Sequence, residues 1–141
     1  MTIPLKSFIF SLQLRPGICD KLPYREIEYG TMEIIQQGKN MQNVRIVVGF
    51  GDGTSNRPWF KCFDLGRFAD DKYAAGLIAC NNANKQYRWL RFYIDEENDV
   101  VAAADAIVSE ESVFDEVIEL IIRMMQIVDN LYPSFMKARW A

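Results

Sequence analysis

Runs of apolar and β-branched residues, separated by turn formers, fill the first half of the chain after its opening segment. Three such runs lie at residues 27–36, 43–51 and 59–65, and the stretch between the last two is dense in glycine, asparagine and proline. Short apolar runs bounded by turn residues are typical of β-strands. These three predict an antiparallel meander, in which Gly30 marks a bulge or bend within the first strand.

A helical period replaces this pattern in the last third of the chain. Apolar residues recur every three or four positions over residues 109–131, with polar residues on the opposite side. Ser109 stands where an N-cap is expected, and Pro133 predicts a kink or restart at Tyr132. The apolar arc is wider than the stripe of about 100° that one buried face needs. We therefore expect either the N-terminal helix or a second copy of the chain to cover the rest.

The remaining segments complete an α-β-β-β-α-β-β-α order. They are a helix at 4–22 that Pro16-Gly17 interrupts, a helix from Asp70 or Asp71 to 84, and strands at 88–95 and 100–108 joined by a tight acidic turn. The apolar stripe predicted for the second helix is Tyr73, Leu77, Ile78 and Cys80. This order predicts one α+β domain over residues 1–141, with a five-stranded, mainly antiparallel sheet packed by helices.

Composition excludes several classes of function. The 141 residues include no histidine, which removes the usual Ser–His–Asp and Cys–His catalytic systems and imidazole metal sites. Ten carboxylates and no lysine or arginine lie between residues 95 and 119, so a nucleic-acid partner is not expected. No apolar run reaches the ~20 residues of a membrane span. Cys19, Cys62 and Cys80 lack metal or disulfide spacing and predict free thiols in the cytoplasm.

Three segments suggest chemistry that their context does not support. Residues 49–54 are rich in glycine, but a strand follows them and no lysine is placed as in a phosphate loop, so they predict a hairpin turn. Asp95, Glu97 and Asp99 alternate like calcium ligands, but the glycine and glutamate of a calcium loop are missing. Cys80 lacks an activating base. The nearby Asn81 and Asn84 are predicted to cap the helix end and to bond the adjoining loop. We predict no catalytic residue, metal site or cofactor.

Aromatic residues on both faces of one strand indicate a contact surface. In the strand at 88–95, Trp89, Arg91 and Tyr93 share one face and Phe92 lies on the other. Exposed aromatic patches usually mark contacts, but a sheet packed by helices on one side and partly covered on the other would also place aromatics on both faces. Met124 and Met125 fill a core by default, and adaptable binding is the alternative. The candidate partner or dimer surface consists of Trp89, Arg91, Tyr93, Met124, Met125, Ile127 and Leu131.

The motifs of the second half resemble the bacterial YbjN domain family. They are the helix end and aromatic strand within NNANKQYRWLRFYIDEENDVVAAADAI at 81–107, and the tail VDNLYPSFMKARW at 128–140. YREIE at 24–28 is similar to the start of the family's first strand. The resemblance covers about residues 24–141, whereas residues 1–23 depart from it. It implies a fold like that of type III secretion chaperones, often dimeric, and a regulatory role with no defined molecular activity.

Two hypotheses of function follow. The first is a cytoplasmic, non-enzymatic protein-interaction or regulatory module that forms a homodimer and binds an unknown protein partner. The second is a small-molecule-binding or enzymatic domain that uses a carboxylate pair such as Asp95 and Asp105, or the thiol of Cys80. A deep pocket at either place would favour the second.

Overall fold

The computed structural model describes residues 4–15, 17, 22–28, 30–51 and 54–141. Apart from a 3-10 turn at Asp70–Lys72, the named elements are α1 (Pro4–Gln13), β1 (Tyr24–Glu28), β2 (Thr31–Gln36), β3 (Val44–Gly49), β4 (Trp59–Cys62), α2 (Tyr73–Gln86), β5 (Arg91–Ile94), β6 (Val100–Asp105) and α3 (Val113–Trp140). The predicted α+β class is confirmed. The N-terminal helix ends before Pro16, and Cys19 lies outside the described residues.

The six strands of the described residues belong to one sheet, in the order β1-β2-β3-β4-β6-β5. Each neighbouring pair is antiparallel. The predicted meander is therefore confirmed for β2, β3 and β4. The last hairpin joins it through β6, which pairs with β4 and places β5 at the edge.

The prediction of five strands is wrong because the run at 27–36 contains a hairpin. Gly30 has a φ of 79°, which L side chains rarely adopt, and it reverses the chain between β1 and β2. Glu28 then pairs directly with Thr31. The sequence marked Gly30 only as a bend, because the segment lacks the cluster of polar turn formers that usually separates two strands.

The sheet has its core on one face. The side chains of alternate strand residues, among them Met32, Ile46 and Phe60, are fully buried and join the apolar residues of the helices in one cluster. The long helix α3 packs on this face at β3, and α2 packs at β5. The described helices thus form a second layer against one side of the sheet.

The N-terminal helix covers the wide apolar arc of α3. Phe8 of α1 is fully buried and stacks on Phe114, with 5.6 Å between the ring centroids. The sequence allowed either the N-terminal helix or a second copy of the chain to cover this arc, and in the structure the N-terminal helix does so. Ile122 remains 39% exposed, so a small part of the arc still faces outward.

The long helix begins later than predicted and continues past its proline. Val113 is its first residue, and the hydroxyl and N–H groups of Ser109 and Ser112 bond each other before it. The predicted restart at Tyr132 is wrong, because one helix runs through Pro133 to Trp140. Pro133 has no N–H for the carbonyl of Asp129, which instead accepts a hydrogen bond of 3.0 Å from the side-chain amide of Asn40.

The packing of α2 also differs from the predicted stripe. Its buried residues are Gly76, Cys80 and Ala83, whereas Leu77 and Ile78 are 46% and 62% exposed. Tyr73 is exposed as well. A methyl group on Gly76 would press on the rings and side chains of Phe68 and Ile94, so the helix approaches its neighbours at its small residues. Asp70 does not cap α2 and accepts a bond from the amide of Asn98 instead.

Candidate functional site

The second face of the sheet has no helix over it in the part of the chain that the structure describes. We call this surface the open face. The strand register places on it the residues that alternate with the core positions. They are Arg25, Thr31, Glu33, Ile35, Arg45, Val47, Gly49, Trp59, Lys61, Arg91, Tyr93, Val101, Ala103 and Asp105.

One end of the open face is closed by an ion-pair cluster on three strands. Glu33 lies between two arginines, 2.6 Å from Arg25 and 2.5 Å from Arg45, and its side chain is only 5% exposed. The hydrogen bond from Arg45 and the charges of both arginines outweigh burial and hold the pKa of Glu33 below its ordinary value. The cluster joins β1, β2 and β3 and leaves Glu33 no free charge for a partner.

The centre of the open face is built around Trp59. Trp59 pairs in register with Gly49, and a methyl group at Gly49 would overlap the indole, so the ring lies directly on the backbone of β3. The ammonium of Lys61 lies 5.2 Å from the indole centroid. Among the described residues, no carboxylate forms an ion pair with Lys61. The centre therefore presents a cation and an aromatic edge.

The other end lies on β6 and β5. Arg91 and Asp105 form an ion pair of 3.0 Å, and Tyr93 is 38% exposed. Val101 and Ala103 sit between the longer side chains and are almost completely buried. The surface of this end therefore consists of the Tyr93 ring and a neutralised pair of charges.

The structure separates the predicted contact residues into two groups. Arg91 and Tyr93 lie on the open face. The other five side chains contribute to the chain's own core: Trp89, Met124, Met125, Ile127 and Leu131. Trp89 does not share a face with Tyr93 as predicted, since β5 begins only at Arg91 and the indole meets the edge of Phe60 instead.

A buried carboxylate that the sequence analysis missed joins α3 to the loop between β2 and β3. Asp129 is 8% exposed and accepts hydrogen bonds of 2.8–2.9 Å from the backbone N–H groups of Lys39, Asn40 and Met41. Burial favours the neutral form, but these three donors outweigh it and lower the pKa of Asp129. Gly38 fits beside the carboxylate because it has no side chain. The only signal in the sequence is an Asp four residues before Pro133.

Asn84 has a structural role, but not at the place predicted. The sequence indicated that Asn81 and Asn84 bond the helix end and its loop. The amide of Asn84 instead accepts from the N–H of Phe92 at 2.7 Å and donates to its carbonyl at 3.1 Å. Because β5 is an edge strand, Asn84 takes the place of a neighbouring strand at this residue.

The two described thiols are poor nucleophiles. Burial raises the pKa of Cys62 to about 12 and that of Cys80 to about 11. Both are free and buried. Thiolate, not thiol, is the reactive form, so neither residue has the environment of a catalytic cysteine.

The acidic residues of the β5–β6 hairpin serve the turn itself. Asp95 accepts from the N–H groups of Glu97 and Asp99 at 2.9 and 3.0 Å, and Asp99 lies 3.4 Å from Arg67. Asp105 lies at the far end of β6, roughly 17 Å along the strand from this turn. The structure thus does not bring the predicted pair of Asp95 and Asp105 together. In the glycine-rich segment 49–54, which connects the paired strands β3 and β4, residues 52 and 53 lie outside the described part.

Comparison with known proteins gives one family match, which covers most of the elements described above. A family model described as "Putative bacterial sensory transduction regulator", YbjN, matches residues 38–136. The chain belongs to the YbjN family. The match is shorter than the predicted 24–141, but it includes the Asp129 contact, the Asn84 contact and strands β3 to β6. No curated protein matches the chain. None of the helices in the described residues has the length and apolar character that crossing a membrane requires.

Proposed function

We propose that this YbjN protein is a non-enzymatic regulatory module that binds a segment of a partner protein on the open face. The observation that carries the proposal is Lys61 on Trp59: a cation without a carboxylate partner among the described residues, at the centre of a face that no described helix covers. The family description as a regulator is consistent with it. The segment that fits has a carboxylate for Lys61 and an apolar side chain for the exposed ring of Tyr93.

The arrangement of charges favours a protein segment over a nucleic acid. Glu33 and Asp105 lie on the same face as the cations and are already paired with arginines. A row of phosphates would meet these carboxylates, whereas a single carboxylate can reach Lys61 and avoid them. The buried, high-pKa thiols of Cys62 and Cys80 support a function without catalysis, and the cysteine spacing supports a cytoplasmic location.

We expect Lys61→Glu to weaken partner binding by about tenfold or more, since it replaces an attraction by a repulsion. A photo-crosslinking residue in place of Tyr93 identifies the partner in the native cell, and titration calorimetry with the purified partner then gives the dissociation constants. Lys6→Glu, the same charge reversal at an exposed position of α1, is the matched control. Equal affinities for Lys61→Glu and the wild type would contradict the proposal.

We also propose that the protein forms a homodimer through α2. This helix carries one charged residue, Lys85, and exposes Tyr73 and Leu77 on one flank. Interface cores are depleted in charge, and an uncharged apolar patch can face its own copy without repulsion.

Sedimentation equilibrium tests the dimer. We expect the wild type to sediment as a dimer and Leu77→Asp as a monomer, because the substitution would place two carboxylates in the interface. Leu14→Asp changes a leucine that is 64% exposed on a different part of the chain and is expected to leave the dimer intact. A monomeric wild type would refute the proposal.

A further inference from the structure

A groove of about 430 Å³ lies between α2 and the C-terminal part of α3, away from the open face. Alanines at 75, 79 and 83 form one wall, and their small side chains leave the space open. The other wall contains Leu131 and Phe135, which are 6% and 1% exposed. The volume lies within the range of about 300–1,000 Å³ that is usual for small-molecule sites, whose lining is mostly apolar.

The polar groups of the groove are a cation and several neutral groups. Among the described residues, Lys137 is the only charged side chain that lines it, Asn82, Gln86 and Ser134 supply neutral hydrogen-bonding groups, and the main chain of Ala141 also lines the groove. Among the described residues that line the groove, none has a carboxylate side chain. A second cation, Lys72, donates to the carbonyl of Ala141 at the end of the groove.

We propose that this groove binds a small amphipathic carboxylate. The apolar part of the ligand lies on the α2 wall, where Ile78 is 62% exposed, and its carboxylate pairs with Lys137. The uncharged walls exclude ligands with several charges, and the position of the cation selects an anion over an alcohol or amine with the same chain. The size of the groove suits a single medium-length alkyl chain or a substituted ring. The site lies on the helical layer and is independent of the open face.

The test is an NMR titration of the full chain with hexanoate, octanoate and decanoate, and with octanol and octylamine for comparison. We expect affinity to rise about fourfold for each methylene until the groove is full. Octanoate should bind more tightly than octanol, and octylamine more weakly than both. The shifted amides should be those of α2 and the end of α3.

Two variants measure separately the contribution of the charge and that of the apolar groove to binding. Lys137→Ala is expected to weaken the binding of octanoate about fivefold and to leave the binding of octanol unchanged. Lys85→Ala removes an α2 cation outside the groove and should change the affinity for neither compound. Asn82→Phe places a ring from an exposed position into the groove and should abolish binding of both ligands.

Equal binding of octanoate and octylamine, or loss of neither ligand in Asn82→Phe, would overturn the proposal. So would failure of all five compounds to bind. If the Asn82→Phe variant instead had a different oligomeric state from the wild type in sedimentation equilibrium, a second copy of the chain would be the occupant of the groove and the proposal would be wrong. None of these outcomes bears on the open face, which is tested at Lys61.

Discussion

Asp129→Ala is expected to lower the free energy of unfolding by about 3–4 kcal/mol, the largest effect we predict for a polar residue. The substitution removes the acceptor of three backbone N–H groups, on Lys39, Asn40 and Met41, that no other described group accepts. A hydrogen bond to a charged group stabilises by about 1.5–3 kcal/mol. Because Lys39 and Asn40 are exposed, water can bond their N–H groups in the variant, so the net loss is smaller than the sum of the three bonds. Urea denaturation followed by circular dichroism measures the change.

The matched control is Asn130→Ala, which truncates the exposed neighbour of Asp129 on the same turn of α3. We expect it to change the unfolding free energy by no more than about 0.5 kcal/mol. Equal stabilities for the two variants would mean that the loop contact contributes nothing and would contradict the prediction.

The pH dependence gives an independent measurement of the same contact. The pKa of Asp129 in the folded chain is below its ordinary value of 3.8, so the unfolded chain binds the proton more tightly. The contribution of the Asp129 contact to the free energy of unfolding is therefore fully present at pH values above 3.8. It is lost as the pH falls through the pKa of the folded chain. Asp129→Asn resembles the protonated residue. The stability difference between it and the wild type should be constant near neutrality and shrink below about pH 4.

Asn84→Ala is expected to destabilise the fold by about 2 kcal/mol, because the N–H and the carbonyl of Phe92 each lose a hydrogen bond of roughly 1 kcal/mol. The edge of β5 also becomes free to pair with another chain, so aggregation on heating should increase. Asn81→Ala is the control, since it makes the same change of helix propensity at an exposed position three residues earlier. Thermal melting and light scattering measure both effects, and identical behaviour of the two variants would refute the role of Asn84.

The two residues illustrate different limits of sequence analysis. Asn84 was singled out, because asparagines at the end of a helix usually bond something nearby, but its partner eight residues away depended on how β5 meets α2. Asp129 was not singled out, because one acidic residue beside a helical stripe looks the same whether it faces solvent or a loop. Its partners lie 88 to 90 positions away in the chain, and no local pattern encodes that distance.

For the candidate contact residues as well, the sequence predicted some positions correctly and missed others that depend on tertiary contacts. The alternation of the strand at 88–95 correctly placed Arg91 and Tyr93 opposite Phe92, but Trp89 lies outside the strand and joined the core. Lys61, now central to the proposed function, carried no signal, because its importance depends on the contact of Trp59 with Gly49 of another strand. The groove between α2 and α3 likewise depends on which flank of α2 the core leaves exposed.

Three features could be derived from the amino-acid sequence alone: the α+β class, the antiparallel meander and the long amphipathic helix. These features follow from periods of two and 3.6 residues and from the preferences of turn residues, which act over a few neighbouring positions. Three others became visible only in the folded chain: the run at 27–36 is a hairpin, α1 covers α3, and one face of the sheet stays open among the described residues. Those outcomes are set by contacts between residues far apart in the chain, where the geometry of packing, and not the local pattern, selects the partner.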